Sequence, residues 1–360
     1  MHIAVDAREL VGHVTGVGRY LSELLHAWQA SGADRRHRFV LYAQAPPAGV
    51  PAGFAGEIRV LPGAGGTRWE QWDLQRALAA ARPDVLFAPG YTAPLAAPAP
   101  LVLVVHDVSF FAHPEWFSWR EGLRRRALTA WSARRARLVL APSAFSAGEI
   151  ARHLVLDPSR IRVVYHGMRQ PPISPASRQP VVLFVGSLFQ RRRIDVLIEA
   201  FGRVAARHPE ARLEIVGANR TRPPVDFSAQ VAALGLDGRI RLRDWVDDAA
   251  LAALYDEASV FVFLSHYEGF GLTPLEAMAR GAVPLVLDTA VSREIYGEAA
   301  WRVPEGRALA TGVADGIARL LDDGELRARL RAAAVPVLAR YDWADAAART
   351  LRCLEEAAGA

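Results

Sequence analysis

The sequence predicts an α/β protein built from two doubly wound domains with parallel sheets. Short apolar runs recur along the chain, and most are continuous instead of alternating with polar residues. Continuous runs are typical of strands that helices cover on both faces, as in parallel sheets. Longer amphipathic segments separate the runs, which indicates repeated βαβ units. A Pro-rich break at residues 167–180 divides the chain into two halves of similar length.

Each apolar run is interpreted as one strand, because its length and its flanking Gly, Pro or polar residues are those expected of buried strands. In chain order, the predicted strands are His2–Asp6, Phe39–Tyr42, Val85–Ala88, Leu101–His106, Leu138–Pro142, Ile161–Val164, Val181–Val185, Leu213–Val216, Ile240–Leu242, Val260–Leu264 and Val283–Leu287. Amphipathic patterns predict helices between them, among them Gly18–Ala30, Val196–Arg207 and Ala249–Ala258.

The break contains four prolines among polar residues and has no periodicity, which favours a linker between domains. We expect a first domain over residues 1–168, a linker over 169–180 and a second domain over 181–340. An Ala-rich helix is expected within 341–360. One large sheet with a surface loop is the alternative. The crevice between two doubly wound domains is where we expect a ligand.

Composition and charge exclude several classes of protein. Hydrophobic residues make up 51% and charged residues 22% of the 360, which allows a sizeable core and excludes disorder. The one cysteine, Cys353, excludes a disulfide scaffold and a cysteine-based zinc site. No run reaches the ~18 apolar residues of a membrane span. The N-terminus lacks the pattern of a signal peptide, so we expect a cytoplasmic protein.

The net charge is +5, and all 43 basic residues are Arg. Complete replacement of Lys by Arg is the pattern of a GC-rich coding bias, which raises the isoelectric point without a functional cause. Basicity alone therefore says little about nucleic acid. No nucleic-acid-binding fold is recognisable, and we expect no nucleic-acid partner.

The most informative segment is Ser265–Gly281, which follows the predicted strand Val260–Leu264. Pro274 suits the first turn of a helix, and Gly269 and Gly271 allow a ligand to approach the backbone closely. The amides of Gly271, Leu272 and Thr273 would then lie at a helix N-terminus, where anions bind. Because a carboxylate repels a phosphate, Glu268 and Glu276 are expected to face neutral hydroxyl groups. These features together predict a nucleotide-sugar pocket.

Glu268 and Glu276 are eight residues apart and resemble the E-x7-E motif of retaining glycosyltransferases of family 4. Further segments resemble the same family along almost the whole chain. They are Thr15–Tyr20, His106-Asp107, Gly186–Phe201, Asp244-Trp245-Val246 and Leu254-Tyr255. The resemblance implies the GT-B fold, two Rossmann-like domains with a cleft between them, and a final helix that packs back on the first domain. It also implies a subfamily rich in mannosyltransferases of bacterial surface polysaccharides.

The resemblance further implies a role for each site residue of the second domain. Glu276 would bond the ribose hydroxyls, and Glu268 would contact the donor sugar. The backbone of Gly269, Phe270, Gly271, Leu272 and Thr273 would hold sugar hydroxyls and phosphate, with Gly186 and Ser187 beside them. Arg191 and Arg192 would neutralise the diphosphate leaving group. Arg192 occupies a position that is usually Lys, and Arg193 replaces a common Asn. Trp245 and Val246 are our candidates for a wall of the base pocket.

In the first half, Gly16 and Gly18 lie in a Gly-rich turn that opens a helix. Position 21 is Leu, so the dinucleotide fingerprint Gly-x-Gly-x-x-Gly is not present. The family resemblance implies that this turn faces the donor diphosphate and the acceptor, and a tight turn without ligand contact is the alternative. His106 ends an apolar run, where it would point toward a ligand. The resemblance implies a sugar-positioning role for His106, and a structural histidine is the alternative.

The Arg120–Arg137 region combines seven arginines with a stripe formed by Leu123, Ala127, Leu128 and Trp131. A basic amphipathic helix with aromatic residues is typical of a surface for anionic lipid. The alternative is a helix packed on the core with a solvated Arg face. Peripheral contact with the inner face of the cell membrane would follow from the first interpretation.

The predicted activity is transfer of a sugar, with retention, from a nucleoside-diphosphate donor to a hydroxyl of a glycan or lipid-linked glycan. GDP-mannose is the favoured donor, and UDP- or dTDP-sugars are the alternatives. An Asp-x-Asp metal motif is not found, so no metal and no cofactor are predicted. A nicotinamide oxidoreductase and a non-catalytic carbohydrate-binding relative are the other classes weighed. The sequence lacks the dinucleotide-binding fingerprint of a nicotinamide oxidoreductase. Turnover of the donor would distinguish a glycosyltransferase from a non-catalytic relative.

Overall fold

The computed structural model describes residues 1–12, 16–63, 65–169 and 178–359. These form two compact units. Unit 1 contains Met1–Gly167 and Tyr341–Ala360, and unit 2 contains Met168–Arg340. Residues 170–177 of the predicted linker and Thr15 of the Gly-rich turn lie outside the described residues.

The described part of unit 1 contains a seven-stranded parallel sheet with the strand order β3-β2-β1-β4-β5-β6-β7. Its strands are β1 (His2–Asp6), β2 (Arg38–Ala43), β3 (Glu57–Val60), β4 (Val85–Ala88), β5 (Leu101–Val104), β6 (Leu138–Ala141) and β7 (Ile161–Val163). Its helices are α1 (Gly16–Ala30), α2 (Ala33–Arg36), α3 (Gly66–Arg68), α4 (Gln75–Ala81), α5 (Ser109–Ala112), α6 (Trp119–Arg135) and α7 (Ala144–Leu154).

Both faces of this sheet are buried, which explains the continuous apolar runs. On β1, Ile3 and Val5 belong to one core cluster and Ala4 belongs to the other. Successive residues of a strand point to opposite faces, so the central positions Ile3, Ala4 and Val5 all carry apolar side chains.

The described part of unit 2 contains a six-stranded parallel sheet with the order β10-β9-β8-β11-β12-β13. Its strands are β8 (Gln179–Val185), β9 (Arg212–Val216), β10 (Ile240–Arg243), β11 (Ala258–Phe263), β12 (Val283–Leu287) and β13 (Trp301–Val303). Its helices are α8 (Ile194–Arg207), α9 (Phe227–Ala233), α10 (Asp248–Glu257), α11 (Leu272–Ala279), α12 (Ala290–Tyr296), α13 (Leu309–Asp322) and α14 (Gly324–Leu338).

The C-terminal helix α15 (Trp343–Ala358) belongs to unit 1, although the chain has by then passed through unit 2. Ala347, Leu354 and Ala357 are buried in the same core cluster as Leu24 of α1. The indole nitrogen of Trp28 donates a hydrogen bond of 3.0 Å to the carbonyl oxygen of Ala347. The last helix therefore completes the core of the unit in which the chain begins.

The predicted fold class is confirmed, because each unit is a doubly wound parallel sheet of the Rossmann type. Two edge strands escaped prediction. β3 has exposed residues at three of its four positions, and β13 has only three residues. The predicted strand Leu101–His106 ends at Val104, so His106 lies just beyond the ladder.

Candidate active site

The carboxyl ends of β8 and β11 bring the predicted residues of unit 2 together. These strands are neighbours in the sheet, while the chain runs from β8 to β9 on the other side. Their junction is thus the topological switch point, where doubly wound sheets bind ligands. Gly186 directly follows β8, and Ser265 follows β11.

An ion pair between Arg192 and Glu268 joins the two strand ends. Arg192 Nε lies 3.0 Å from Glu268 Oε1, and its Nη1 donates to the carbonyl oxygen of Ser187 at 2.9 Å. The guanidinium also lies over the ring of Phe263, 5.1 Å from its centroid. Glu268 Oε1 accepts a further hydrogen bond of 2.8 Å from the Ser265 hydroxyl. The pair is therefore held from both strands.

Burial alone would raise the pKa of Glu268, but the guanidinium groups of Arg192 and Arg191 and the Ser265 hydroxyl bring that pKa below its ordinary value. Besides the neutral hydroxyl groups expected from the sequence, Glu268 therefore faces two guanidinium groups. A carboxylate that is 16% exposed needs a charged partner to offset its lost hydration. Among the described residues, the contacts of Glu268 use Oε1.

Arg191 and Arg193 flank this pair and differ in orientation. Arg191 Nε lies 3.8 Å from Glu268 Oε1, and its guanidinium stacks over Phe189 at 4.5 Å from the ring centroid. Arg193 instead pairs with Glu305 at 2.5 Å. Its φ of 51° lies in the left-handed region, which Asn and Gly tolerate better than Arg. This conformation suits the Asn that the resemblance implies at this position.

Two glycines let the backbone and Arg192 lie close together at the end of β8. Gly186 has a φ of +139°, and a Cβ on it would lie 2.5 Å from Nη1 of Arg192. A Cβ on Gly217, at the end of β9, would lie 2.0 Å from the carbonyl oxygen of Gly186. A side chain at either position would displace the loop that carries Ser187 and Arg192.

The glycine turn after β11 starts α11 at Leu272, with Gly271 as the N-cap. Gly271 has a φ of +89° and provides no side-chain cap for the first-turn amides. Its carbonyl oxygen accepts a hydrogen bond of 2.9 Å from the Tyr296 hydroxyl. The turn therefore presents the amides of Leu272 and Thr273 at a helix N-terminus.

The remaining predicted residues of unit 2 have different environments. Glu276 lies on α11, half-buried, and its Oε2 accepts a hydrogen bond of 2.9 Å from the Tyr255 hydroxyl. Gly269 and the buried Phe270 precede the cap. Trp245 and Val246 follow β10, two strands away from β8 in the sheet order. Trp245 is 68% exposed, and Val246 is half-buried.

In unit 1, His106 is held by hydrogen bonds of both ring nitrogens. Nε2 lies 2.8 Å from the carbonyl oxygen of Pro89, and Nδ1 lies 3.4 Å from Nε2 of His166. A carbonyl only accepts, so the proton of His106 is assigned to Nε2. Burial lowers the pKa of His106, and the ring packs edge-on against Tyr20. The imidazole is therefore neutral and fixed in one tautomer.

The Gly-rich turn of unit 1 opens α1 as predicted, with Gly16 exposed and Gly18 buried. Val17 packs close to Gly90. A Cβ added to Gly90 would lie 3.3 Å from the side chain of Val17. Gly90 follows β4, the strand next to β1. This turn thus lies at the switch point of unit 1.

Sequence reasoning missed a buried charge cluster at that same switch point. Arg8 Nη2 lies 3.0 Å from Asp6 and 2.5 Å from Glu70, and it also donates to the Thr92 hydroxyl at 3.1 Å. Asp6 and Glu70 are each 1% exposed. Burial is the largest cause that raises the pKa of Asp6 to about 6. An Asp at the end of the first strand was the available signal, but Glu70 is too distant in sequence to be linked to it.

Helix α6 exposes Leu123, Ala127 and Trp131 of the predicted apolar stripe, whereas Leu128 is half-buried. Trp119, Leu123 and Trp131 are 71%, 55% and 53% exposed. The helix packs on unit 1 through small residues instead: Gly122, Thr129, Ser132 and Ala133 are buried. The helix thus packs on the core of unit 1 and its Arg face is exposed, as the alternative expects, although part of the apolar stripe also faces solvent.

In residues 1–12, 16–63, 65–169 and 178–359, no helix is both long and apolar enough to cross a membrane. The same residues contain no group of three or more His, Cys, Asp or Glu side chains placed to hold a metal ion.

The family models for "Glycosyltransferase Family 4" and "Glycosyl transferases group 1" match residues 14–169 and 169–335. A GDP-mannose:cellobiosyl-diphosphopolyprenol alpha-mannosyltransferase of Komagataeibacter xylinus is 28% identical over 240 residues, which are 65% of this chain and 60% of that protein. The same enzyme of Xanthomonas campestris is 28% identical over 249 residues, 68% of this chain and 64% of its own. The chain thus aligns with about three fifths of the length of these relatives.

Among solved structures, HepE of Anabaena in complex with UDP-glucose matches 98% of this chain and 99% of its own, with a TM-score of 0.76 and 19% identity. Two Rossmann-type units matched in this way define a protein of the GT-B fold. The chain belongs to glycosyltransferase family 4 and resembles bacterial mannosyltransferases.

Proposed function

We propose that this protein transfers a sugar from a nucleoside-diphosphate donor to a hydroxyl of a glycan or lipid-linked glycan. One observation supports this most strongly. The switch point of unit 2 combines two arginines, one paired carboxylate and an uncapped helix N-terminus. Two cations beside free amides suit a diphosphate, and carboxylates suit sugar hydroxyls.

Each side chain has a distinct task in this proposal. Arg191 and Arg192 neutralise the diphosphate as the glycosidic bond breaks, where preorganised positive charge lowers the barrier most. The amides of the turn from Gly269 to Thr273, with Gly186 and Ser187 across from them, bind phosphate and sugar oxygens. Glu268 offers Oε2 to a sugar hydroxyl, because Oε1 holds Arg192 and Ser265.

Glu276 accepts hydrogen bonds from the ribose, and Trp245 with Val246 lines the base. His106 has a sugar-positioning role, in the neutral form that its burial favours. We further propose that transfer retains the anomeric configuration, with the departing phosphate oxygen taking the proton of the acceptor hydroxyl. The arginines supply the positive charge at the leaving group.

GDP-mannose is our proposed donor, and a polyprenol-linked glycan is our proposed acceptor. The names of the mannosyltransferase relatives support both. A UDP-sugar is the second candidate, which the UDP-glucose complex of HepE favours. A non-catalytic GT-B protein would bind such donors without turnover.

A donor screen tests this function. Nucleotides and nucleotide sugars are compared by thermal shift, because a ligand of the native state alone raises Tm. We expect GDP and GDP-mannose to give the largest shifts. The anomeric proton of the bound donor is then followed by NMR. Absence of a shift with every nucleotide would contradict the proposal, and binding without hydrolysis or transfer would support the non-catalytic alternative.

We also propose that α6 rests on the anionic inner face of the cell membrane. Its exposed Trp119, Leu123 and Trp131 alternate with exposed Arg120 and Arg124, the combination that inserts into an interface. Co-sedimentation with phosphatidylglycerol vesicles should fall at least several-fold in the W119A/L123A/W131A variant. Equal sedimentation of wild type and variant, or equal binding to uncharged phosphatidylcholine vesicles, would contradict this role.

A further inference from the structure

Two buried tyrosine hydroxyls bond to α11, and neither was singled out by the sequence as a site residue. Tyr296, the last residue of α12, donates to the carbonyl oxygen of Gly271 at 2.9 Å. Tyr255, on α10, donates to Oε2 of Glu276 at 2.9 Å. Both side chains are 3% exposed. The two bonds reach the N-cap of α11 and the carboxylate one turn further along.

The Tyr296 bond fixes the direction of a neighbouring amide. The carbonyl of Gly271 and the N–H of Leu272 belong to the same planar trans peptide, so they point in opposite directions. Holding the oxygen therefore holds the Leu272 N–H on the other side of the peptide. A carbonyl that accepts a hydrogen bond also polarises its own peptide and strengthens the N–H as a donor.

Gly271 needs such a restraint. Its φ of +89° is accessible because it has no Cβ, and the same freedom leaves the turn without a preferred orientation. A Cβ at this position would lie 2.1 Å from the Tyr296 hydroxyl, so Tyr296 in its observed place requires a glycine at position 271. Tyr296 is itself fixed, because α12 begins with a capping box between Thr289 and Ser292.

The Tyr255 bond acts on the carboxylate in a comparable way. A glutamate side chain has three rotatable bonds, and binding one oxygen to a buried hydroxyl selects one orientation. The supporting contacts hold α10 against α11. Nη1 of Arg280, which follows α11, lies 3.0 Å from both carboxylate oxygens of Asp256, the neighbour of Tyr255.

We infer that Tyr296 and Tyr255 are positioning residues, each for a different part of the donor. Tyr296 directs the Leu272 amide toward the diphosphate, and Tyr255 directs Glu276 toward the ribose. This inference rests on the proposed function of the unit 2 site. If the two hydroxyls served only tight packing, removing either one would affect all ligands alike. If they position different groups, each removal affects the binding of a different part of the donor.

The experiment crosses two variants with two ligand comparisons, using the full chain and isothermal titration calorimetry with the guanine and uracil series. Y296F should lose about 5-fold in affinity for the nucleoside diphosphate, equivalent to one hydrogen bond, and little for the monophosphate. Y255F should instead reduce the preference for GDP over 2′-deoxy-GDP by about the same factor. Tyr42, buried in unit 1, provides a control for the loss of a tyrosine hydroxyl away from the proposed site, and Y42F should change neither preference.

Equal losses for all ligands in both variants, or no loss in either, would overturn the inference while leaving the proposed function in place. Failure of the wild type to bind any nucleotide would overturn both. Should a variant not fold, amide exchange of the wild type decides. GDP should slow exchange at Leu272, and unchanged exchange with GDP bound would refute the role of Tyr296.

Discussion

The two units have the same kind of switch point but opposite charge balances. In unit 1, Arg8 faces two carboxylates, Asp6 and Glu70, at the junction of β1 and β4. In unit 2, Arg191 and Arg192 face one carboxylate, Glu268, at the junction of β8 and β11. An excess of positive charge attracts a diphosphate, and an excess of negative charge repels it. The same fold position is thus suited to anion binding in only one unit.

The carboxylates of the two clusters also differ in burial. Arg8, Asp6 and Glu70 are at most 12% exposed, and Arg8 is enclosed by its carboxylate partners. Arg192 and Glu268 are 14% and 16% exposed, and the uncapped amides of α11 lie on the same side of the sheet. We propose that the cluster of unit 1 is structural and that the cluster of unit 2 binds the donor.

The largest expected effect comes from removing positive charge in unit 2. Arg192→Ala should lower kcat by about 100-fold or more, as expected for losing a preorganised charge at the leaving group. Steady-state kinetics with the donor identified by the screen measures it. Arg193→Ala is the control from the same loop, because Arg193 pairs with Glu305 instead. Wild-type turnover in the Arg192→Ala enzyme would contradict the proposal that the positive charge at the unit 2 switch point acts on the diphosphate.

The next effect concerns the carboxylate excess of unit 1. The pKa of Asp6 is raised to about 6 by burial, so its unfolded form releases the proton at lower pH than its folded form. The contribution of this group to stability is therefore fully present below pH 4 and is lost as pH rises through 6, a change of about 3 kcal/mol. Asp6→Asn should lack that decline. Urea unfolding at pH 4 and pH 7 measures the difference, and parallel pH profiles of variant and wild type would contradict it.

Glu276→Ala should weaken nucleotide binding by about 1–3 kcal/mol, because it removes charge-assisted hydrogen bonds. Calorimetry with GDP and UDP tests this. Glu70→Gln, in unit 1, is the matched change at the other switch point, and it should alter stability without altering nucleotide affinity. Equal affinities for wild type and Glu276→Ala would exclude Glu276 from the site.

The smallest expected effect concerns the backbone conformation of Arg193 in the arginine loop. Arg193 has a φ of 51°, which costs about 1 kcal/mol for most side chains and less for Asn. Arg193→Asn and Arg193→Ala both remove the exposed pair with Glu305, so their difference isolates the backbone. We expect the Asn variant to be more stable by about 1 kcal/mol in urea unfolding. A more stable Ala variant would refute the conformational explanation.

The sequence was sufficient where burial on both faces dictates composition. β4 and β12 begin and end at the predicted residues, because every position in them is buried. The edge strand β3 was missed because its four residues alternate between polar and apolar and so do not form a continuous apolar run.

The site was predictable as far as it is local in sequence. The glycine turn, Glu268 and the arginines lie in short motifs, and the structure brings them to adjacent strands. The Arg192–Glu268 pair spans 76 positions, and the Tyr296 bond to Gly271 spans 25. Such contacts depend on which strands become neighbours, and a residue pattern carries no signal for that.

The return of α15 to unit 1 has a consequence for biosynthesis. Leu354 and Ala357 belong to the same core cluster as Ile3. The core of unit 1 therefore stays incomplete while the ribosome is still making unit 2. The first unit to emerge is the last to acquire its full core. Its unfinished apolar face, the one beside Trp28, must be protected from aggregation throughout translation, which makes that surface a natural client for a chaperone.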